Sequence, residues 1–329
     1  MLEGATTEGV LAHKLGPLAA RRLRLLGREV PPSLEAEERL ARIAWMTAGP
    51  LLRRIRELHD APLLLLKGPE VAALYPDRAR GFVDIDILAV GARELYENLR
   101  GAGFAELEEA ELYESHHHFS PLNLRGVWLN VEVHVRPMWP EGLSTPSVAT
   151  IVDESCPSAV SVHGISAPQR EHQALLLAVH AWMHEPLHTL RDLLDIAAVT
   201  AVADRSKLAA LSRQWGIGRI WQTTQRTIDA IFDERPHNMP LRLWARHLPR
   251  VRERTVLDNH LQRWLHYFWE GPPNVAIPSL AEALRMEILP DPGELWRDKA
   301  TRVGHALRRP TASMSAHKRG WREARELDP

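Results

Sequence analysis

Two aspartates separated by a single isoleucine form the first pattern in this sequence that suggests chemistry. Asp84 and Asp86 lie in residues 82–90, whose centre alternates acidic and aliphatic side chains. This alternation predicts a β-strand on which both carboxylates share one face. Like charges on one face repel each other, so they are either solvated or need a cation, and Mg²⁺ prefers carboxylate and phosphate oxygens. A half-exposed strand with solvated acids is the alternative that this motif leaves open.

A third carboxylate lies in a later segment of alternating residues. Residues 127–135 predict a strand on which Glu132 shares a face with Asn130 and His134, while valines occupy the other face. If this strand is a neighbour of the strand that carries the aspartates, three carboxylates converge. The residues then predict a site for a divalent cation.

A lysine-glycine step upstream of the aspartates has the properties of a phosphate site. Residues 62–66 form an unbroken apolar segment that predicts a buried strand, and Lys67 and Gly68 lie where this strand meets a short helix that ends near residue 74. Free backbone N–H groups at such a junction favour a phosphate, and glycine allows the backbone to approach it closely. Arg80, just before the aspartates, offers a guanidinium that can bind phosphate oxygens in a bidentate way.

The segments around these residues predict further helices and a hairpin. Apolar residues recur at helical spacing over residues 35–58, which predicts an amphipathic helix that Pro50 should kink or split. A second helix is predicted over residues 93–100. Residues 117–122 and 127–135 flank an Arg-Gly turn and predict a hairpin.

Domain organisation follows from a proline-rich stretch. Residues 137–168 contain several prolines and few long apolar runs, which marks a connecting region. Residues 166–169 resemble a capping box with proline early in a helix, and the sequence beyond shows only helical periods. We predict an N-terminal helical segment over residues 1–60, a catalytic core over 61–165 and a helical domain with a basic C-terminal arm over 166–329.

Composition disfavours several classes of protein. The chain has 329 residues, of which 45% are hydrophobic and 25% charged, as in globular proteins. Its net charge is −1, so it lacks the positive potential of a protein that binds nucleic acid mainly through phosphates. Cys156 is the single cysteine, so no internal disulfide can form. Because neither a signal-like apolar segment nor a long uncharged stretch is found, we expect a cytoplasmic protein that does not enter a membrane.

Positive charge is concentrated near the C-terminus. The arm from Lys299 to Arg325 contains one acidic residue, Glu323, and the basic residues Lys299, Arg302, Arg308, Arg309, Lys318, Arg319, Arg322 and Arg325. A plain exposed helix explains this composition. Binding of an acidic peptide, a nucleic acid or a partner protein is the alternative.

A family resemblance is carried by three segments within about residues 60–200: LLLLKGPEVAALYPDRARGFVDIDILAV, HHHFSPLNLRGVWLNVEVHVRP and LLLAVHAWMHEPLHTLRDLLDIAAV. They resemble an uncharacterised nucleotidyltransferase family, often encoded beside peptide-modification genes, of the DNA polymerase β-like superfamily. Members have a glycine-containing turn, an acidic pair with one apolar residue between, and a third acid on a later strand. The resemblance implies an α+β fold: a polymerase β-like core, with a mixed sheet and flanking helices, plus a C-terminal helical domain.

The resemblance also implies a catalytic site. The family pattern makes Asp84 and Asp86 ligands of two Mg²⁺ ions, and Glu132 the third ligand and candidate base. A bound hydroxyl would attack the α-phosphorus of an NTP, with ATP expected, and pyrophosphate would leave. We expect a peptide, protein or small-molecule acceptor, because the near-neutral charge disfavours nucleic acid. An inactive nucleotide-sensing or partner-binding protein on the same fold is the alternative.

Other positions match the family less completely. Lys67 and Gly68 would contact the triphosphate, and Arg80 matches an arginine that commonly precedes the acidic pair. Arg191 and Asp195 match an arginine and an aspartate on a later helix, at the border of the active site, with no role assigned. The superfamily usually has Gly-Gly or Gly-Ser at the turn, whereas this chain has Lys-Gly-Pro, so the resemblance does not specify how this turn would contact the triphosphate.

A zinc-peptidase motif is also present. His184, Glu185 and His188 match the pattern His-Glu-x-x-His, which would make the chain a zinc metallopeptidase. That motif needs both histidines on one continuous helix. Pro186 opposes this because it removes an N–H group and moves Glu185 away from helical dihedral angles, so a turn between helices is the preferred interpretation.

Several further histidines lie near the predicted strands and helices. His116, His117 and His118 are consecutive, and His180 lies one helical turn before the zinc-like motif. Consecutive residues on a strand face opposite ways, so their spacing does not indicate a metal site. We expect surface, core or substrate-contact roles for them, with His118 and His134 bordering the active site through the hairpin.

Overall fold

Two compact units divide the chain. Lys14–Ile228 form the larger unit, and Met1–His13 together with Asp229–Pro329 form the smaller one. The boundaries predicted at residues 60 and 165 both fall inside the larger unit, and they stay a prediction. The structure is a computed structural model that describes residues 4–108, 113, 116–290 and 295–307.

One mixed sheet organises the larger unit. Within the described residues it has seven strands, in the spatial order β3-β4-β5-β2-β1-β7-β6, and their bounds are β1 Leu63–Leu65, β2 Asp84–Ala89, β3 Phe104–Glu106, β4 Leu122–Leu124, β5 Asn130–His134, β6 Ser155–Pro157 and β7 Ile165–Pro168. β2 is antiparallel to β1 and parallel to β5, while β1 is parallel to β7. The predicted α+β class with a mixed sheet is therefore confirmed.

Helices make up most of the remaining structure. In chain order they are α1 Thr7–Ala12, α2 Gly16–Leu25, α3 Pro32–Arg56, α4 Pro69–Ala72, α5 Ala92–Gly101, α6 Val148–Asp153, α7 Arg170–His184, α8 Leu190–Thr200, α9 Arg205–Gln214, α10 Gly218–Phe232, α11 Met239–Leu243, α12 Val256–Leu265, α13 Tyr267–Glu270, α14 Pro273–Ile288 and α15 Trp296–Leu307, with a 3₁₀ turn at Pro76–Arg78. The predicted helices over residues 35–58 and 93–100 correspond to α3 and α5. Pro50 lies within α3 and does not split it. No helix among the described residues combines the length and apolar character needed to cross a bilayer.

The middle of the sheet is buried because its residues are apolar. All three leucines of β1 are buried, as expected for a strand that is covered on both faces. In β2, Ile85 and Ile87 belong to a core that also contains Leu52 and Ile55 of α3 and Leu95 of α5. Because side chains alternate along a strand, burying these isoleucines directs the acidic residues of β2 to the opposite face.

The prediction that residues 166–169 begin a helix is wrong. Ser166 and its neighbours form strand β7, and α7 begins only at Arg170. The local capping pattern is overridden by tertiary pairing, because β7 lies between β1 and β6 and Leu64 is paired with Ser166. The sequence after residue 165 is therefore not helical throughout.

The predicted hairpin is shorter than expected. β4 covers Leu122–Leu124 and pairs antiparallel with β5. The first part of residues 117–122 contributes only an isolated bridge from His118 to His134. The hairpin thus still brings the histidine segment next to the strand that carries Glu132.

The smaller unit has its own core and ion pairs. Trp244 and Leu248 are buried in it. Asp258, also buried, accepts hydrogen bonds from Arg246 at 2.6 Å and Arg252 at 3.2 Å. Such a carboxylate is stable away from water because charged donors surround it.

The basic C-terminal arm is described only at its beginning. Lys299 in α15 is buried, and its Nζ donates to the Leu289 carbonyl at 2.7 Å. Arg302 lies in the same helix. The predicted basic residues from Arg308 onward lie outside the described residues.

Gly68, between β1 and α4, offers a test of this fold. Its backbone has φ +64° and ψ −119°, and a Cβ there would lie 2.9 Å from the Asp84 carbonyl oxygen. Gly68→Ala should therefore lower the free energy of unfolding by about 2 kcal/mol or more. Gly49→Ala is the control, because a Cβ on this helical glycine would meet Arg53 Nη1 at an ordinary contact distance of 3.7 Å, and alanine there should stabilise by up to about 1 kcal/mol. Urea unfolding of the two variants measures both values, and equal stability would contradict the turn geometry.

Candidate active site

Adjacent parallel strands bring the predicted acids together. β2 and β5 are neighbours, with Asp84 paired with Asn130 and Asp86 paired with Glu132. The expectation that these two strands lie side by side is confirmed. Asp86 is fully buried, whereas Asp84 and Glu132 are partly exposed. The acidic face therefore has a buried part and a part that solvent can reach.

Among the described residues, only one of the two carboxylate oxygens of Asp86 accepts hydrogen bonds. Its Oδ1 accepts from Lys67 Nζ at 2.9 Å and from His134 Nε2 at 3.2 Å. Burial favours the protonated acid, but the charge of Lys67 and the hydrogen bond from His134 outweigh it and hold the pKa of Asp86 well below its usual range. Its Oδ2 is buried and has no hydrogen-bond partner among the described residues. An ionised, buried oxygen is thus left available for another positive group.

Lys67 makes a second contact, to α7. Its Nζ lies 3.0 Å from Nε2 of His180. Burial opposes the charge of Lys67, but Asp86, then Asp84 and Glu132, raise its pKa above the ordinary value. A charged ammonium can only donate, so Nε2 of His180 accepts.

The imidazole of His180 is uncharged. Burial, followed by the charge of Lys67, lowers the pKa of His180 well below its ordinary value. Nε2 of His184 lies 3.1 Å from Nε2 of His180, so His184 donates to the same lone pair. Two donors therefore converge on one uncharged imidazole beside the acidic face.

His134 links two of the acids. Its Nε2 lies 3.2 Å from Asp86 Oδ1 and 3.7 Å from Glu132 Oε2. Burial lowers the pKa of His134, but the hydrogen bond to Asp86 and the nearby Glu132 carboxylate raise it overall. Burial is the main cause that raises the pKa of Glu132, and the neighbouring His134 opposes this effect.

A group of ligand atoms fits a small cation. Asp86, Glu132 and His134 each offer one such atom, and these atoms lie within 4.8 Å of one another. Asp84, predicted as a ligand, is not in this group, although it lies next to it on the same face of β2. The unpartnered Oδ2 of Asp86 and the partly exposed Glu132 are hard oxygen donors that suit Mg²⁺ or Mn²⁺. His134, which was predicted to border the site, donates to Asp86 Oδ1 from its Nε2.

Arg80 forms a buried ion pair with Asp195 of α8. Its Nε and Nη2 donate to the two carboxylate oxygens, each at 2.7 Å, and Nη1 donates to the Gly68 carbonyl at 3.3 Å. The hydroxyl of Tyr75 donates to the same carboxylate at 2.7 Å. Arg80 was predicted to bind the triphosphate, but in this structure its donors fix the Gly68 turn to α8. The pairing gives Asp195 a role, and no sequence pattern pointed to Tyr75.

Arg191 lies one helical turn before Asp195 in α8. Its Nη2 is 3.9 Å from the Asp192 carboxylate, too long for a hydrogen bond. Its Nε is buried with no hydrogen-bond partner among the described residues. Its predicted place at the border of the active site stays a prediction.

The consecutive histidines lie beside His134. The rings of His117 and His118 are centred 5.3 Å and 5.2 Å from that of His134. Burial is the main cause that lowers the pKa of His117 to about 2 and that of His118 to about 4. Neutral imidazoles therefore line this side of the acidic face, where the hairpin was expected to bring His118.

The zinc-like motif does not form the helix that zinc binding requires. α7 ends at His184, and Glu185 has extended dihedral angles, φ −167° and ψ 106°. The two histidines of the motif are thus not on one continuous helix, and the expected turn at Pro186 is confirmed. The geometry does not support a zinc metallopeptidase.

The Arg80–Asp195 pair yields a prediction about stability. Asp195→Asn leaves the buried guanidinium without a counter-charge, so the free energy of unfolding should fall by about 3–5 kcal/mol. Asp77→Asn is the matched control, since Asp77 pairs with Arg21 at the same 2.7 Å but is 79% exposed, and it should change stability by less than about 1 kcal/mol. Denaturant unfolding of both variants decides the question. Equal effects would mean that the buried pair does not hold α8 to the Gly68 turn.

Comparison with known proteins identifies the family. A family model described as an uncharacterised nucleotidyltransferase matches residues 7–233. A curated protein of Frankia casuarinae, named pyridoxine/pyridoxamine 5′-phosphate oxidase, is 32% identical over 114 residues, which are 34% of this chain and 42% of that relative. The chain thus spans less than half of that relative's length. No solved structure matches the chain significantly. The family model covers most of the chain, which therefore belongs to this uncharacterised nucleotidyltransferase family.

Proposed function

We propose that the chain is a Mg²⁺-dependent enzyme that transfers a nucleoside monophosphate, AMP from ATP, to a hydroxyl group of a peptide, protein or small molecule. Pyrophosphate is the second product. The observation that carries the proposal is the buried Asp86 carboxylate, which is ionised and keeps Oδ2 without a partner next to Glu132. An arrangement of this kind is costly to bury unless a cation binds there.

The acidic face would hold the metal ions. Asp84, Asp86 and Glu132 are the proposed ligands, which supports two sites because a carboxylate with two oxygens can serve two cations. When bound, the two ions supply charge stabilisation for the attacking and leaving oxygens. The part that this chain contributes is the fixed spacing of the acids, since β2 and β5 are joined along their whole register.

Lys67 and Gly68 are the proposed triphosphate contacts. Lys67 carries a full charge at the edge of the acidic face, and its side chain is 17% exposed. Gly68 is buried against the Asp84 carbonyl, and its own carbonyl accepts from Arg80, so the turn is fixed next to Lys67. These features support binding of the β- and γ-phosphates at the end of β1.

Glu132 is the proposed proton acceptor. The oxygen of the acceptor hydroxyl attacks the α-phosphorus, and its proton passes to a carboxylate oxygen of Glu132. The bond from the α-phosphorus to the bridging oxygen breaks, and pyrophosphate leaves with that electron pair. Burial raises the pKa of Glu132 above its ordinary value, which makes it a better base than an exposed glutamate.

The acceptor class follows from charge. The net charge of −1 gives the protein no general attraction for phosphate backbones. The neutral imidazoles of His117 and His118 beside His134 offer hydrogen bonds without added charge. We therefore propose an uncharged hydroxyl of a peptide, protein or small molecule in preference to tRNA.

The test measures which phosphate group of the nucleotide is transferred to the acceptor. The protein is incubated with Mg²⁺, a panel of acceptors and ATP labelled at either the α or the γ position. Label should move to the acceptor only from α-labelled ATP, and chelation with EDTA should stop the transfer. Asp84→Asn/Asp86→Asn should reduce the rate by at least about a hundredfold, whereas Asp77→Asn, which lies outside the site, should keep it.

The same experiment separates the alternatives. Transfer from γ-labelled ATP alone would indicate a kinase. Unchanged transfer by the double variant would contradict the metal assignment. ATP bound without transfer to any acceptor of the panel would favour a nucleotide sensor on this fold.

A further inference from the structure

We propose that Lys67 couples metal binding to nucleotide binding, by occupying Asp86 until a triphosphate draws its ammonium away. This inference rests on the proposed function and adds a form of regulation to the same site. In the absence of nucleotide, Lys67 takes the place of a cation at Asp86. When a triphosphate binds, Lys67 moves to it, and the metal enters together with the nucleotide.

The contacts of Lys67 place it where it competes with a metal ion. Its Nζ is 2.9 Å from Asp86 Oδ1, and the neighbouring Oδ2 is the unpartnered oxygen of the same carboxylate. Any ion bound to Oδ2 would therefore lie within a few ångströms of the positive charge of Lys67. Since Mg²⁺ binds oxygen at about 2.0–2.1 Å, the ammonium and the ion would repel each other strongly in this buried place.

His134 adds to the same effect. It donates to Asp86 Oδ1 at 3.2 Å, so that this oxygen is shared by two donors before any metal arrives. His134 belongs to β5 and is buried, whereas Lys67 follows β1 and retains some exposure. Lys67 is therefore the donor that is free to move, because a lysine side chain has a long flexible stem.

A triphosphate is the ligand that could draw Lys67 away. It carries several negative charges, more than the one carboxylate that Lys67 contacts now. His180 does not hold Lys67 by charge, because it is a neutral acceptor at 3.0 Å. The ammonium can thus change partners without leaving a second charge unpaired.

The position of Lys67 supports the same idea. Lys67 follows β1, the strand antiparallel to β2, and its Nζ reaches Asp86 of β2. A residue with a short side chain at this position could not reach that carboxylate.

The experiment measures Mn²⁺ binding by electron paramagnetic resonance of the free ion, with and without a nonhydrolysable ATP analogue. Wild-type protein should bind Mn²⁺ weakly alone and tightly with the analogue. Lys67→Met should bind Mn²⁺ alone at least about tenfold more tightly than wild type, because the competing charge is gone. Its affinity for the analogue without metal should fall by about tenfold, because a phosphate contact is lost.

Three controls make the result specific. Lys67→Arg keeps a positive charge and should keep the weak binding of Mn²⁺ in the absence of nucleotide. Lys207→Met removes an exposed lysine in α9 and should behave as wild type. Lys67→Gln replaces the methionine variant if circular dichroism shows that the latter is misfolded.

The outcomes distinguish this inference from the proposed function. If wild type binds Mn²⁺ alone as tightly as Lys67→Met while the analogue still binds, the coupling role of Lys67 is overturned and the metal site stands. If no variant binds Mn²⁺ with or without the analogue, the proposed function fails and the inference fails with it.

Discussion

The buried carboxylate of Asp86 is the constraint on which the rest of the site depends. It is ionised away from water, so positive groups must surround it, and the chain supplies Lys67 and His134 on the same oxygen. The three residues come from β2, from the end of β1 and from β5. The order β5-β2-β1 across the sheet brings these three side chains together. The sheet topology therefore determines which charged groups surround Asp86.

A second buried carboxylate, that of Asp195, helps to position the turn next to Lys67. Asp195 holds Arg80, and Arg80 holds the carbonyl of Gly68 next to Lys67. The helix that carries Asp195 lies far along the chain from β1, so this ion pair fastens the helical part of the larger unit to the edge of the site. Arg80 thus holds the turn that follows β1 through its backbone.

The sequence predicted the acidic face because strand alternation is a local property. The spacing of Asp84 and Asp86, and of Glu132 with His134, was enough to place each pair on one face. The partners of these acids depend on tertiary pairing, which local patterns do not contain. The contact of Lys67 with Asp86, the pairing of Arg80 with Asp195 and the strand at Ser166 all join segments that are distant in sequence. For this reason the elements near the acids were foreseen, whereas the ion pairs were not.

Asp86 as a metal ligand is the central claim, and anomalous scattering from a crystal grown with Mn²⁺ and a nonhydrolysable ATP analogue tests it most directly. The account predicts a Mn²⁺ peak at coordination distance from Asp86 Oδ2 and Glu132, with Lys67 moved onto the triphosphate. A structure with nucleotide bound, Lys67 still on Asp86 and no metal peak at the acidic face would contradict it.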